Sequence, residues 1–147
     1  MQTTLPTPST SDLASRLRLA VARTARRLRQ EADGGLSPSL VAALATLERH
    51  GPLTPSKLAE IERIQRPTAT RIVSNLEQQG LVGREGDPLD GRSFRVRMSA
   101  DGARLLKRLR SRKNAYLARR LRTLDEEELA TLERATEILE RILEERE

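Results

Sequence analysis

The chain has 147 residues, enough for one domain, and carries 27 Lys and Arg against 21 Asp and Glu for a formal charge of +6. It has no Cys and a single His, His50, which excludes disulfides, thiol redox sensing, Cys-based metal sites and a multi-His metal centre within one protomer. No apolar run approaches the ~20 residues that span a bilayer and no apolar signal segment opens the chain, so a cytoplasmic location and no membrane partner are expected.

Residues 1–10, MQTTLPTPST, are polar and Pro-rich and are expected to form a disordered N-terminal tail. A first helix is expected from about Asp12 to Ala32. Leu13, Leu17, Ala20, Val21, Thr24 and Leu28 make its apolar stripe, arginines cover much of the rest, and Asp33-Gly34-Gly35 ends it. Ser37 is placed to cap a second helix with Pro38 at its first position and Leu40, Leu44 and Leu47 on one side. Gly51-Pro52 breaks the chain, and Leu53 is expected to pair as a short third strand against a later hairpin. Thr54-Pro55 opens a third helix carrying Leu58 and Ala59.

Residues 65–102 are the most informative stretch. Pro67 suits the start of a helix, and Ala69, Ile72, Val73 and Leu76 recur at the spacing of one helical stripe. The opposite face carries Thr70, Arg71, Ser74, Asn75 and Gln78, with Arg66 and Thr68 near its start. Short hydrogen-bonding side chains and guanidinium groups are what read base edges and grip phosphates. An ordinary solvated helix face is usually rich in Glu and Lys, and the centre of this one has neither. Gly80 stops the helix. Leu81–Glu85 then form a strand, and Phe94, Val96 and Met98 alternate with Arg95 and Arg97 in a second. Between them Asp87-Pro88-Leu89-Asp90-Gly91-Arg92 is dense in turn residues, so Arg92 projects from a tip. Ser99 can cap the next helix, with Asp101 as the alternative.

A fifth helix is expected from about Asp101 to Leu121, with Leu105, Leu106, Leu109, Tyr116, Leu117 and Leu121 on its apolar side. A sixth begins near Asp125, acidic over its first turn, with a seam of Leu129, Leu132, Leu139, Ile142 and Leu143. Phe94 and Tyr116 are the only aromatic residues, so the core must be Leu, Ile, Val and Ala, which suits helices. The fold class is therefore mainly α with a small β-wing: a winged helix-turn-helix at about 36–100, flanked by terminal helices at about 11–33 and 101–147 in a single domain over 11–147. Long amphipathic helices that cannot bury their stripes on so small a core need another partner, and a second copy is the simplest. Such a homodimer would also set two reading helices about 34 Å apart, one turn of a palindromic double-stranded DNA site. From Asp125 onward ten acidic residues face three basic ones, whereas residues 1–124 hold 24 basic and 11 acidic. The basic body points to a polyanion partner.

Thr68, Thr70 and Arg71, then Leu76-Glu77, Gly80-Leu81-Val82, Arg84, Asp87, Asp90-x-Arg92, Val96 and Gly102 stand in an order that resembles the MarR family of winged helix-turn-helix transcriptional regulators. At the level of helix order the resemblance spans roughly residues 11–145. Gly91 departs from it, where the family often has a bulkier or basic residue, and Ser99 stands where Thr is common. The resemblance implies that Arg92 enters a minor groove with Asp90 bracing it, that the terminal helices dimerise, and that the protein is a repressor. It also implies control by a small, commonly aromatic acid held among the first, second and fifth helices. Val21, Arg23, Leu47, His50, Leu109, Arg112 and Tyr116 are candidates there, but scarce aromatics leave little for stacking on a phenol, so neither an effector nor a site for one is assigned. On this reading Thr70, Arg71, Ser74 and Asn75 address the major groove, and Ser37, Ser56, Lys57, Arg66 and Thr68 hold phosphates. A nonspecific architectural DNA binder is the first competing reading, and a protein-interaction module that no longer binds DNA is the second. No nucleophile–base pair, Gly-rich phosphate loop or metal cluster is present in the sequence, so no enzyme, metal or cofactor is expected.

Overall fold

The computed structural model describes residues 9–32 and 34–144. Its elements run α1 (Thr10–Glu31), α2 (Pro38–His50), α3 (Pro55–Glu62), α4 (Arg66–Gln78), β1 (Val82–Asp87), β2 (Asp90–Met98), α5 (Ala100–Leu121) and α6 (Glu126–Glu144). Of the tail expected over residues 1–10, residues 1–8 lie outside the described residues, as does Asp33 in the predicted helix stop. α1 starts two residues before the expected Asp12 because the Ser9 hydroxyl accepts from the Asp12 N–H.

Helix starts follow from capping chemistry. The hydroxyls of Ser37, Thr54 and Ser99 accept from the backbone N–H groups of Leu40, Lys57 and Gly102, each satisfying a donor that the first turn leaves open. Ser99 is thus the cap of α5, and Asp101 pairs with Arg104 instead. α6 opens with a reciprocal box: the Glu128 N–H donates to Asp125 Oδ1 at 2.8 Å, and the Asp125 N–H to Glu128 Oε1 at 3.3 Å. At the end of α4, Gly80 takes φ 73°, and the Leu81 N–H closes back onto the Leu76 carbonyl at 2.9 Å. That bond delays the first strand, so β1 begins at Val82 rather than Leu81.

β1 and β2 pair antiparallel with Val82 opposite Met98, Arg84 opposite Val96 and Gly86 opposite Phe94. Leu53 adds the third strand as a single bridge. Its N–H donates to the Val96 carbonyl at 3.1 Å, and the Val96 N–H returns the bond at 2.7 Å. The core gathers one stripe from each surrounding element. Leu44 (α2), Leu58 (α3), Val73 and Leu76 (α4), Val96 (β2) and Leu106 (α5) are fully buried, each worth roughly 1.5–3 kcal/mol as transferred apolar surface.

The terminal helices lie outside this core. Neither α1 nor α6 has a buried residue, and their stripes are open: Leu13, Leu17 and Val21 on α1, and Leu129, Leu132, Ile142 and Leu143 on α6. α1 packs along α5, and the Arg110 guanidinium on α5 donates to Glu48 on α2 at 2.6 Å. Among the described residues no helix is long and apolar enough to cross a membrane.

Candidate nucleic-acid interface

α3 and α4 form the helix-turn-helix. Their turn is made by Arg63 in the left-handed region (φ 55°), with the Ile64 N–H closing onto the Ala59 carbonyl at 3.0 Å. Ala69, Val73 and Leu76 seat α4 on the core, which leaves the opposite face to solvent. Arg66, Thr70, Arg71 and Asn75 are exposed, whereas Thr68 and Ser74 are half-buried. Two of these side chains make local bonds. The Thr70 hydroxyl donates to the Arg66 carbonyl at 3.1 Å, and Asn75 Oδ1 accepts from Gln79 Nε2 at 2.6 Å. Gln65 supplies no side-chain cap, and Pro67 contributes no N–H, so the first turn of α4 is open beside Arg66.

Ser37, Ser56 and Lys57 lie on other elements. Ser37 is exposed at the start of α2, with its hydroxyl engaged as the cap. Ser56 and Lys57 sit exposed in the first turn of α3, and Lys57 leans on Glu60 at 3.4 Å.

The wing holds Asp90 and Arg92. The strand register shifts between Gly86 and Asp87: Asp87 pairs with Asp90 and Gly86 with Phe94, so β2 carries Gly91, Arg92 and Ser93 with no residue opposite. Such a bulge re-aims a side chain, and Arg92 is exposed. Asp90 Oδ1 accepts from the Arg92 N–H at 3.0 Å. The aspartate therefore braces the arginine through its backbone, leaving the guanidinium unclaimed by that carboxylate. Asp87 Oδ1 does the same for the Leu89 N–H at 3.0 Å.

Sequence reasoning missed what ties the wing to α4. The Arg84 Nε donates to both Glu77 carboxylate oxygens at 2.9 Å, and its guanidinium lies 4.1 Å from the centre of the Phe94 ring. By accepting these bonds, the Glu77 carboxylate raises the Arg84 pKa above its ordinary value. Glu85 sits 3.6 Å from both Arg95 and Arg97 across the ladder. The alternation of arginines with Phe94 and Val96 was the available signal, but it does not name a partner on α4.

A cavity of about 350 Å³ lies between α1, α2 and α5. Leu28, Ala32, Leu36, Val41 and Leu109 line it together with the cations Arg29 and Lys113. Of the seven residues suggested for an effector, only Leu109 lines this cavity. Leu47 is in the core, and His50 ends α2 in solvent. Tyr116 faces an arginine cluster elsewhere: its hydroxyl accepts from Arg27 Nε and Arg120 Nε, each at 3.2 Å. Those two bonds, Arg120 first, lower the Tyr116 pKa.

A helix-turn-helix whose second helix shows a hydrogen-bonding face, flanked by an arginine-tipped hairpin, defines a winged helix-turn-helix, the DNA-binding fold of a class of transcriptional regulators. The MarR family model matches residues 36–94. An uncharacterised HTH-type transcriptional regulator of Mycobacterium leprae is 38% identical over 138 residues, covering 93% of this chain and 96% of that protein. The chain belongs to the MarR family. A Pseudomonas aeruginosa protein described as a transcriptional regulator superposes with a TM-score of 0.82 at 35% identity, over 92% of this chain and 98% of that one. The Staphylococcus aureus protein MepR, in a structure bound to an oligodeoxyribonucleotide, shares the fold with a TM-score of 0.69 at 20% identity, over 88% and 97% of the two chains. Transcriptional regulators are not a class of enzymes.

Proposed function

We propose that the protein reads a palindromic DNA operator as a homodimer and represses transcription where that operator overlaps a promoter. The observation that carries this reading is the exposed face of α4, tied by the Glu77–Arg84 pair to the wing that carries Arg92. Arg71, Thr70, Ser74 and Asn75 address base edges in the major groove. Arg66, Thr68, Ser37, Ser56 and Lys57 hold phosphates, and Arg92 enters the minor groove. MepR, which shares the fold, has been seen bound to an oligodeoxyribonucleotide, and this supports DNA as the partner. The second copy is supported by the open apolar stripes of α1 and α6: a monomer leaves Leu13, Leu17, Leu129 and Leu132 in water, and a symmetric pair removes them. A small organic acid releasing the dimer from DNA is supported by the α1–α2–α5 cavity, where an apolar lining meets Arg29 and Lys113.

The test is binding to a duplex selected from a random library, against unselected DNA, at about 50 and 200 mM salt. Each phosphate contact adds close to one unit to the log–log salt slope, so a dimer loses ~10³-fold or more in affinity over that range. Tight binding of the selected duplex, with a specificity ratio of about 10³ or more, is the expected result. Binding that ignores sequence would instead establish an architectural protein. Arg92→Ala is expected to weaken binding at both salt concentrations.

A further inference from the structure

We infer that Leu89 is an apolar wedge for the DNA minor groove, set at the apex of the wing to unstack a base step next to the groove that Arg92 enters. The inference rests on the operator-reading function and adds a residue and a physical event to it. Among the described residues ten large hydrophobic side chains are exposed. Nine of them lie on α1, α5 and α6, where they repeat at helical spacing, and the tenth is Leu89, 95% exposed. No helix pairing accounts for it.

Turn chemistry does not account for it either. Asp87 pairs with Asp90, which makes Pro88 and Leu89 the two residues of the hairpin loop. Neither Pro88 nor Leu89 has a positive φ, so the turn does not call for Asn or Gly, and its second loop position accepts most residues without selecting Leu. A Leu there gains nothing from the backbone and exposes a whole apolar side chain. The surrounding groups hold it in that position. The Asp87 carboxylate fixes the Leu89 N–H, the Asp90 carboxylate fixes the Arg92 N–H, and the Pro88 ring limits the loop's freedom. Both carboxylates are thereby tied to the tip's own backbone, while Pro88, Leu89 and Arg92 are left facing outward. Leu and Pro are among the side chains that minor-groove proteins insert between base steps, alongside arginines that follow the groove. The apex thus combines a cation for the narrow groove with an apolar group for the step beside it.

The experiment uses the full chain and a selected duplex carrying 2-aminopurine at successive adenines flanking the two half-sites. Wild-type protein is expected to raise the fluorescence at one flanking step per half-site, because unstacking relieves quenching. Leu89→Ala is expected to abolish that rise and to weaken binding roughly tenfold per wing, the worth of one buried apolar side chain, with the salt slope unchanged. Leu89→Met retains both signals. Arg92→Ala lowers the salt slope, so the two residues are separable. If Leu89→Ala matches wild type in fluorescence and affinity while Arg92→Ala loses binding, the wedge is refuted and the operator-reading function stands. If Leu89→Ala binds DNA as wild type but loses an assembly seen by sedimentation, Leu89 is a protein contact and the wedge is likewise refuted. If wild-type protein binds no selected duplex, the wedge and the operator-reading function fall together.

Discussion

Gly102→Ala gives a test whose sign separates two physical arguments. Gly102 is the third residue of α5, buried, with its N–H donating to Ser99 Oγ at 3.0 Å. Helix propensity alone predicts that alanine stabilises the protein by up to about 1 kcal/mol. Packing predicts the opposite. A Cβ at this position would sit 2.2 Å from the Leu81 carbonyl oxygen, 3.2 Å from its carbon and 3.0 Å from Met98 Cγ. Close carbon–oxygen contacts stop near ~3.3 Å, so backbone and helix have to separate by about 1 Å. The Met98 side chain can yield, but the Leu81 carbonyl is anchored because it accepts the Ser99 N–H at 2.9 Å. Separation costs about 1–3 kcal/mol as overpacking and weakens a hydrogen bond worth ~1 kcal/mol. Packing wins, with a net loss of about 1–3 kcal/mol. At roughly 2–4 °C per kcal/mol for a domain of this size, the melting temperature falls by about 2–12 °C. Urea unfolding followed by circular dichroism, at one fixed protein concentration, measures it. Gly86→Ala is the control, since a Cβ there meets nothing within 4 Å, and it is expected to leave stability nearly unchanged. A Gly102→Ala protein as stable as wild type, or more so, would refute the packing argument and with it the close seating of α5 on the wing.

Arg84→Ala removes the Glu77 pair and the Phe94 stack. Both partners are partly solvent-exposed, so unfolding should shift by less than about 1 kcal/mol, while affinity for a selected duplex drops at least several-fold; equal affinity would show that the wing needs no tie to α4. Leu132→Glu sets a charge in the open α6 seam and is expected to convert a sedimenting dimer to monomer at micromolar concentration; an unchanged dimer would exclude that seam from the interface. Tyr116 is the only tyrosine, so absorbance near 295 nm follows it cleanly. Hydrogen bonds from Arg120 and Arg27 favour the phenolate, so the midpoint is expected below the ordinary value of about 10. A phenol with a lowered folded pKa contributes stability that is present above its unfolded pKa and is lost as pH falls through the folded one, so Tyr116→Phe should flatten the stability profile only in that alkaline window. A midpoint at or above 10 would refute the arginine cluster.

Local chemistry carried most of the fold in the sequence. Ser37, Thr54 and Ser99 each sit at a cap because a hydroxyl before a helical stripe has one obvious donor to satisfy. Ala69, Val73 and Leu76 bury because their spacing leaves one face of α4 for the core. Relations between elements were not legible in the same way. Glu77 and Arg84 are seven residues apart across a helix stop, a separation at which no periodicity pairs side chains. Arg27 and Tyr116 are 89 residues apart. The cavity shows the same limit from another side. Of the residues considered from helix faces only Leu109 lines it, and part of its wall is the connection that carries Ala32, Gly34 and Leu36. That segment reads in the sequence only as a break between helices, and its side chains acquire an inside once α1, α2 and α5 cross. At the tip, Asp90 and Arg92 were legible as a motif, but the bulge that separates Gly91, Arg92 and Ser93 from β1 depends on strand register.

α5 joins the two halves of the molecule, and its attachments decide what a motion at one end does to the other. As a 22-residue helix it is about 33 Å long. Its first turn is fastened to the base of the wing by three contacts: the Ser99 N–H on the Leu81 carbonyl, the Ser99 hydroxyl on the Gly80 carbonyl at 2.6 Å, and Gly102 against Leu81. One turn or two further on, Leu106 and Leu109 are buried, and Arg110 reaches Glu48 on α2. Beyond that point α5 runs along α1 towards Tyr116 and the cluster of arginines. The wing and α4 are in turn tied by Glu77 and Arg84, so contacts link the reading lobe to the start of α5. The α1–α2–α5 cavity lies beside Leu109, near the middle of the helix. Under the proposed function, a molecule filling it would push α1 and α5 away from α2 near the middle of α5, and a small change of angle there would be carried along the helix to the lobe. Under the proposed function, the separation of the two reading helices in a dimer is set by that angle. Substitutions at Leu109 or Gly34, where a Cβ would sit 2.5 Å from Leu109 Cδ2, should therefore change affinity for DNA without touching a DNA-facing residue.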